Sequence, residues 1–242
     1  MSPDINDFFD RVYERTVSKA HKDVNFEGVA PSAQQAVSEI CDSFMNPPYF
    51  PERSLLILGG VGCGKTSIMA IILRRYLRSR GHYIADRIDL SGGEVIDNGA
   101  QFRIQQNGVD YYGNTLREAP FWWGTHAQLI KELRDHYYNG QNLEIRPSII
   151  PESMKRPGLV FFIDDYGTAF MDQAGVNQML EYEFFNMAWE HKLMVVMTSN
   201  LNETELDATR KGKGELTQMR TTDRIMDNKW MARLTIGWGS RR

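Results

Sequence analysis

The eight residues GGVGCGKT, Gly59 to Thr66, follow the apolar run LLILG and precede an amphipathic segment. Their pattern, Gly59-x-x-x-x-Gly64-Lys65-Thr66, constrains the chain more than any other feature. It demands a strand ending at the loop and a helix beginning in it, because only then do the loop's N–H groups converge on one point. The glycines let the backbone curl, and the helix N-terminus adds its positive end. Such a loop grips phosphate. Gly59, Gly60, Val61, Gly62, Cys63, Gly64, Lys65, Thr66 and Ser67 would line the ligand. Lys65 would reach the β- and γ-phosphates of ATP, and the Thr66 hydroxyl would bind Mg²⁺.

The surrounding periodicities fit that demand. A strand is expected over 55–59, then a helix from about Lys65 to Arg80 that stops at Gly81. PFWWG, LVFFI, LMVVM and ARLTIGW read as four further strands, with helices over about 125–138 and 177–190 between them. LVFFI and LMVVM lack polar alternation, as strands covered on both faces do. Strands alternating with helices give an α/β fold with a central, mostly parallel five-stranded sheet. Residues 83–118 break the pattern: recurrent Gly and Asn turn signals separate short alternating pieces, which predicts a β-rich insertion of one or two hairpins. Ahead of the core, 5–17 and 32–44 are helical by spacing. The expected division is an N-terminal helical extension, 1–48, and a core, 49–242, with the insertion inside it. The apolar face of 5–17 has two uses: docking in a partner's groove or packing on its own core.

LVFFI delivers Asp164 and Asp165 to the C-terminal edge of the sheet, where ligands of open α/β sheets sit. Asp164 is the natural magnesium partner beside Thr66. Asp165 is placed to polarise an attacking water. LMVVM ends in Thr198-Ser199-Asn200, and a polar residue there can touch a γ-phosphate or that water.

Composition narrows the context. No apolar run is long enough to span a bilayer, and the acidic start lacks a signal pattern, so no membrane partner is expected. Two cysteines, Cys41 and Cys63, far apart, exclude a disulfide scaffold or zinc cluster and fit the cytoplasm. The net charge of −3 argues against a blanket nucleic-acid binder. Yet Ala208 to Arg242 carries nine Lys/Arg against three acids, a local basic surface suited to phosphate backbones. Tyr111, Tyr112, Trp122 and Trp123 could stack single-stranded bases or pack in the core.

The ordered set GGVGCGKT, IDDYG (163–167), TSNLNETEL (198–206), TDRIMD (222–227) and WGSRR (238–242) resembles the AAA+ ATPases of the bacterial replicative helicase loader group, DnaC/DnaI type. The resemblance covers roughly 50–242 outside the insertion. It implies a P-loop NTPase fold, AAA+/RecA-like, a three-layer αβα sandwich, without a C-terminal helical lid. It also implies an ATPase that self-associates into a ring or spiral and delivers a replicative helicase onto single-stranded DNA. Lys65, Asp164, Asp165 and Asn200 would be its catalytic set. Arg224 would be an arginine finger reaching a neighbour's nucleotide, with Arg220 its rival and Arg241 or Arg242 a weaker second sensor. Many relatives carry glutamate where Asp165 stands, and the shorter side chain favours slow turnover. Two other activities fit the motifs: the helper ATPase of insertion-sequence transposition, and a slow, nucleotide-gated adaptor.

Overall fold

A computed structural model describes residues 5–22, 26–29, 31–43, 54–87, 94–97, 101–106, 109–114, 121–140, 159–168, 175–208 and 216–237. In chain order the elements are α1 (Ile5–Thr16), α2 (Lys19–Lys22), a 3₁₀ turn (Phe26–Gly28), α3 (Pro31–Ser43), β1 (Ser54–Leu58) and α4 (Lys65–Arg87). There follow β2 (Glu94–Asp97), β3 (Gln101–Gln106), β4 (Val109–Asn114), β5 (Phe121–Thr125), α5 (His126–Gly140) and β6 (Val160–Tyr166). The last are α6 (Val176–Glu190), β7 (Met194–Ser199), α7 (Glu203–Ala208), α8 (Leu216–Ile225) and β8 (Met231–Thr235). Two compact units emerge: Met1–Phe50 with Thr66–Phe121, and Pro51–Lys65 with Trp122–Arg242.

The second unit holds the five-stranded sheet, in the order β5-β6-β7-β1-β8. The pairs β6–β7, β7–β1 and β1–β8 are parallel. Every residue of β1 and β7 is buried, which is why their sequences show no polar alternation. One face carries Leu56, Leu58, Phe161, Ile163, Val195 and Met197, packed with Leu129 and Leu133 of α5 and Leu180, Phe184 and Phe185 of α6. Phe161 meets Phe184 edge-on, ring centroids 4.8 Å apart. Trp122 lies against Phe161 and Trp123 against Phe162, so these two half-buried tryptophans pack on the sheet. The sheet and its helices make the α/β P-loop NTPase fold that the motifs imply.

Parallel pairing sets β6 and β7 in register from Val160↔Met194 to Ile163↔Met197; the next pair is Tyr166↔Ser199. Three steps on β6 against two on β7 make a bulge at Asp164–Asp165. Asp165 takes φ 54°, a left-handed conformation that Asp tolerates better than most residues. The bulge re-aims both acids at the strand's end.

In the first unit α1 runs antiparallel to α4. Asn6 lies at Gly81, Asp10 pairs with Arg78 at 3.0 Å and with Arg74 at 3.6 Å, and Arg74 covers the Tyr13 ring. The expected stop at Gly81 is wrong: α4 continues to Arg87. A Cβ on Gly81 would fall 2.4 Å from the Asn6 Oδ1, so this glycine makes room for α1. Buried Leu77 and Ile84, on either side of it, favour continuing the helix. Arg74 and Arg78 therefore serve α1. The stripe Ile5, Phe8, Phe9, Val12 and Tyr13 is buried within the chain, which leaves no open apolar face for a partner's groove. The insertion forms the three-stranded antiparallel sheet β2-β3-β4, two hairpins that begin later than expected because α4 is longer. Tyr111 and Tyr112 lie on β4.

Candidate functional site

β1 is gripped from both sides as it enters the glycine loop. Gly59 N–H donates to Ser199 O at 3.3 Å, and Ile236 N–H donates to Leu58 O at 2.8 Å. A Cβ on Gly59 would fall 2.6 Å from Cys63 Sγ and 3.0 Å from the Ile236 carbonyl oxygen, so no larger residue fits there. Gly62 and Gly64 curl the loop at φ 78° and 93°, values that strain any other residue. Val61, 83% exposed, is the loop's tip. Lys65 is 6% exposed. Its ammonium donates to Gly59 O at 2.9 Å, Gly60 O at 2.8 Å and Asn200 Oδ1 at 2.8 Å. These three bonds use all its donors, as a buried charge requires.

The acids stand on the other side of β7. Leu58 and Tyr166 both pair with Ser199, which brings the loop and the acids to one edge of the sheet, a strand apart. Asn200 spans the gap: it accepts from Lys65, and its Nδ2 donates to Asp165 Oδ1 at 3.3 Å. Thr198 fixes both acids. Its hydroxyl donates to Asp164 Oδ1 at 2.5 Å and accepts the Asp165 N–H at 3.0 Å. Ser199 Oγ donates to Tyr166 O at 2.9 Å, and the Thr168 N–H and hydroxyl both donate to Asp165 O. The sequence places Thr198 at this edge but does not show its bonds to both acids. Its partners follow from the β6–β7 register, and no local signal states that register.

Fifty-seven chains of known structure match this one. The crystal structure of the DnaC helicase loader superposes with a TM-score of 0.55 at 14% identity, over 90% of this chain and 99% of that one. The crystal structure of DnaI gives 0.51 at 14% identity, over 93% and 94%. The chain shares the fold of these helicase loaders. No family model matches the sequence, and no match to it is found among curated proteins. At 14% identity the likeness establishes the loader fold and not its residues' roles.

On this loader fold the donors suit magnesium and a triphosphate. No cluster of three or more His, Cys, Asp or Glu occurs among the described residues, so a dedicated all-protein metal cage is absent there. Magnesium in such sites takes one or two protein oxygens, with phosphate and water completing its shell. Asp164, oriented by Thr198, offers a carboxylate of that kind. Thr66 and Ser67 follow Lys65 in the first turn of α4, whose N–H groups have no acceptor within the helix. Ser67 Oγ and His21 Nδ1 share a hydrogen bond of 3.1 Å.

Arg224 stands apart from the loop–acid cluster. Its guanidinium lies 4.0 Å from the centre of the Trp189 ring, and Nη2 donates to Asn186 Oδ1 at 3.2 Å. Trp189 is itself held, donating from Nε1 to Asp227 Oδ2. Among the described residues Arg224 bonds to none of Lys65, Asp164, Asp165 and Asn200. Arg220, one turn earlier, is exposed. Arg241, Arg242 and WGSRR lie outside the described residues, as do Arg210, Lys211 and Lys213 of the basic stretch.

A buried polar cluster underlies the acids. The Thr125-x-x-Gln128 capping box starts α5: Gln128 N–H donates to Thr125 Oγ1, and Gln128 Oε1 accepts the Thr125 N–H. That cap sets His126 at the first helical position, with Nε2 3.7 Å from Glu181 Oε1. Burial holds the His126 imidazole down at about 4. Burial pushes the Glu181 carboxyl up to about 7, against a hydrogen bond from Tyr166 that lowers it. The pair is therefore not an ion pair at neutral pH. Their effects on stability have opposite signs. The His126 contribution grows as pH rises from about 4 to 6.5, because the unfolded chain binds the extra proton there. The Glu181 contribution is full below 4.5 and is lost as pH rises through about 7, because the fold binds the extra proton. Each slope is on the order of 1 kcal/mol per pH unit. Glu181→Gln removes the falling limb. The melting temperature of the variant minus that of the wild type should climb steadily from pH 4.5 to 7. A difference independent of pH would contradict the assignment.

Proposed function

We propose that the chain binds ATP and magnesium at this edge, hydrolyses ATP in an assembly of like subunits, and thereby delivers a replicative helicase onto single-stranded DNA. The observation that carries the nucleotide half is the Asn200 amide, which ties the loop lysine to the second acid across β7. The loader half is supported by a fold shared over nearly the full length of both chains. In this reading Lys65 serves the β- and γ-phosphates, and Thr66 and Asp164 hold the metal, which when bound offsets phosphate charge. Asp165 polarises the attacking water, and Asn200 reads the γ-phosphate. Arg224 completes a neighbour's site.

The test is ATP turnover by the purified chain alone, with a single-stranded oligonucleotide and with the matching duplex. Single strands should raise turnover several-fold, and the effect should fade between roughly 50 and 200 mM salt. Stimulation by duplex alone would move the assignment to a transposition helper. Slow turnover indifferent to both would make the chain a nucleotide-gated adaptor. Absence of ATP binding would overturn every version.

A further inference from the structure

His126 is 2% exposed, and nothing in the hydrolytic scheme uses it. Its Nδ1 accepts the Gly167 N–H at 3.3 Å, and its ring lies 4.8 Å from that of Tyr166. Its Nε2 has no hydrogen-bond partner among the described residues and faces the Glu181 carboxyl. A neutral imidazole that accepts at Nδ1 carries its proton on Nε2, and the carboxyl opposite favours that tautomer. A histidine and a glutamate buried side by side are costly, and such groups persist where they fix a conformation.

The conformation at stake is the turn carrying the acids. Asp165 sits at φ 54° and Gly167 at φ 93°. A non-glycine residue in that region costs about 1 kcal/mol or more and stays there only if its surroundings insist. β7 insists from one side, through Thr198 on the Asp165 N–H and Ser199 on the Tyr166 carbonyl. His126 insists from the other, at the Gly167 N–H. Without that acceptor the peptide after Tyr166 is held at its carbonyl alone, by Ser199, which lets Asp165 relax toward negative φ and its carboxylate leave Asn200.

We infer that His126 is a positioning residue for ATP hydrolysis: by accepting the Gly167 N–H it locks the turn that aims the Asp165 carboxylate. The inference rests on the reading of Asp165 as the group that polarises water.

Two substitutions separate positioning from space-filling. His126→Phe keeps the ring and its contact with Tyr166 but removes the acceptor. His126→Asn gives up the ring but places an amide oxygen close to where Nδ1 stood. A histidine that only fills the core would be replaced better by Phe. A positioning histidine would be replaced better by Asn. Single-turnover hydrolysis should fall about tenfold to a hundredfold in His126→Phe, with ATP affinity within about threefold of wild type. His126→Asn should stay within about threefold in rate, even if it melts lower. His126→Gln, whose amide reaches the Nε2 position instead, should behave like Phe and serves if Phe does not fold. Wild-type rates in Phe and Gln, or an Asn variant no better than either, overturn the inference. Asp165→Asn is the control. If it keeps full turnover, the reading of Asp165 fails; if it is inactive while Phe is not, only the role of His126 fails. In the Asp165→Asn background, His126→Phe should cause no further loss.

Discussion

Lys65→Ala is expected to lower ATP turnover by at least about 10²-fold and to weaken ATP binding, the largest loss from any single substitution in the loop. The ammonium is nearly inaccessible to water, and its three bonds place it where the loop, β1 and β7 converge. In such surroundings a charge acts on phosphate far more strongly than in bulk water. Its removal also takes a donor from Gly59 O, Gly60 O and Asn200 Oδ1, of which Gly60 O keeps the Cys63 N–H at 3.4 Å. Asn200 then loses one of the two contacts that align it with Asp165. Part of the loss will be structural, about 1–3 kcal/mol for groups left unsatisfied. Melting temperature measured beside nucleotide titration divides the two contributions. Lys65→Arg should not rescue, because a planar guanidinium cannot meet three acceptors set around a compact ammonium. Wild-type ATP affinity in a folded Lys65→Ala chain would end the nucleotide reading.

Arg224→Ala should cut turnover about 10³-fold while ATP affinity stays within about threefold. The separation follows from geometry: Arg224 makes its contacts on α6 and none with the loop–acid cluster of its own chain. The Trp189 face and the Asn186 amide hold its guanidinium in one orientation at the end of α8, which suits the proposed finger. Mixing tests this directly. Arg224→Ala subunits keep Asp165, and Asp165→Asn subunits keep Arg224. Neither should turn over alone, and the mixture should recover part of the activity. A mixture as inactive as its components would place Arg224 in its own site or outside catalysis. Arg220→Ala, exposed and without the Trp189 platform, should lose less than about threefold; a larger loss would make it the finger.

The parts of this site that were legible in the sequence are those built from consecutive residues. A loop of eight residues, or five apolar residues ending in two acids, carries its geometry in its own spacing. Long buried strands announce themselves because both of their faces must be apolar. Gly81 shows where local reading fails. A glycine late in a helix looks like a stop, but here it is the point where α1 crosses α4, a fact held in Asn6, far away in the chain. The bonds of Thr198 to the acids and of His126 to the turn escape local reading for a related reason. One acts through a register shift between β6 and β7, the other through a contact 41 residues away.

Residues close together in the chain, then, suffice for the glycine loop between strand and helix, the acid-bearing strand and the alternating α/β plan, since each follows from side-chain period and backbone freedom within a few residues. Tertiary structure alone decided that β7 stands between the loop and the acids, that Asn200 joins them, that a bulge turns Asp165 into the left-handed region and that Arg224 rests on Trp189. Those outcomes depend on which strands neighbour one another. That choice is made by the burial of whole faces, which no short stretch of chain contains.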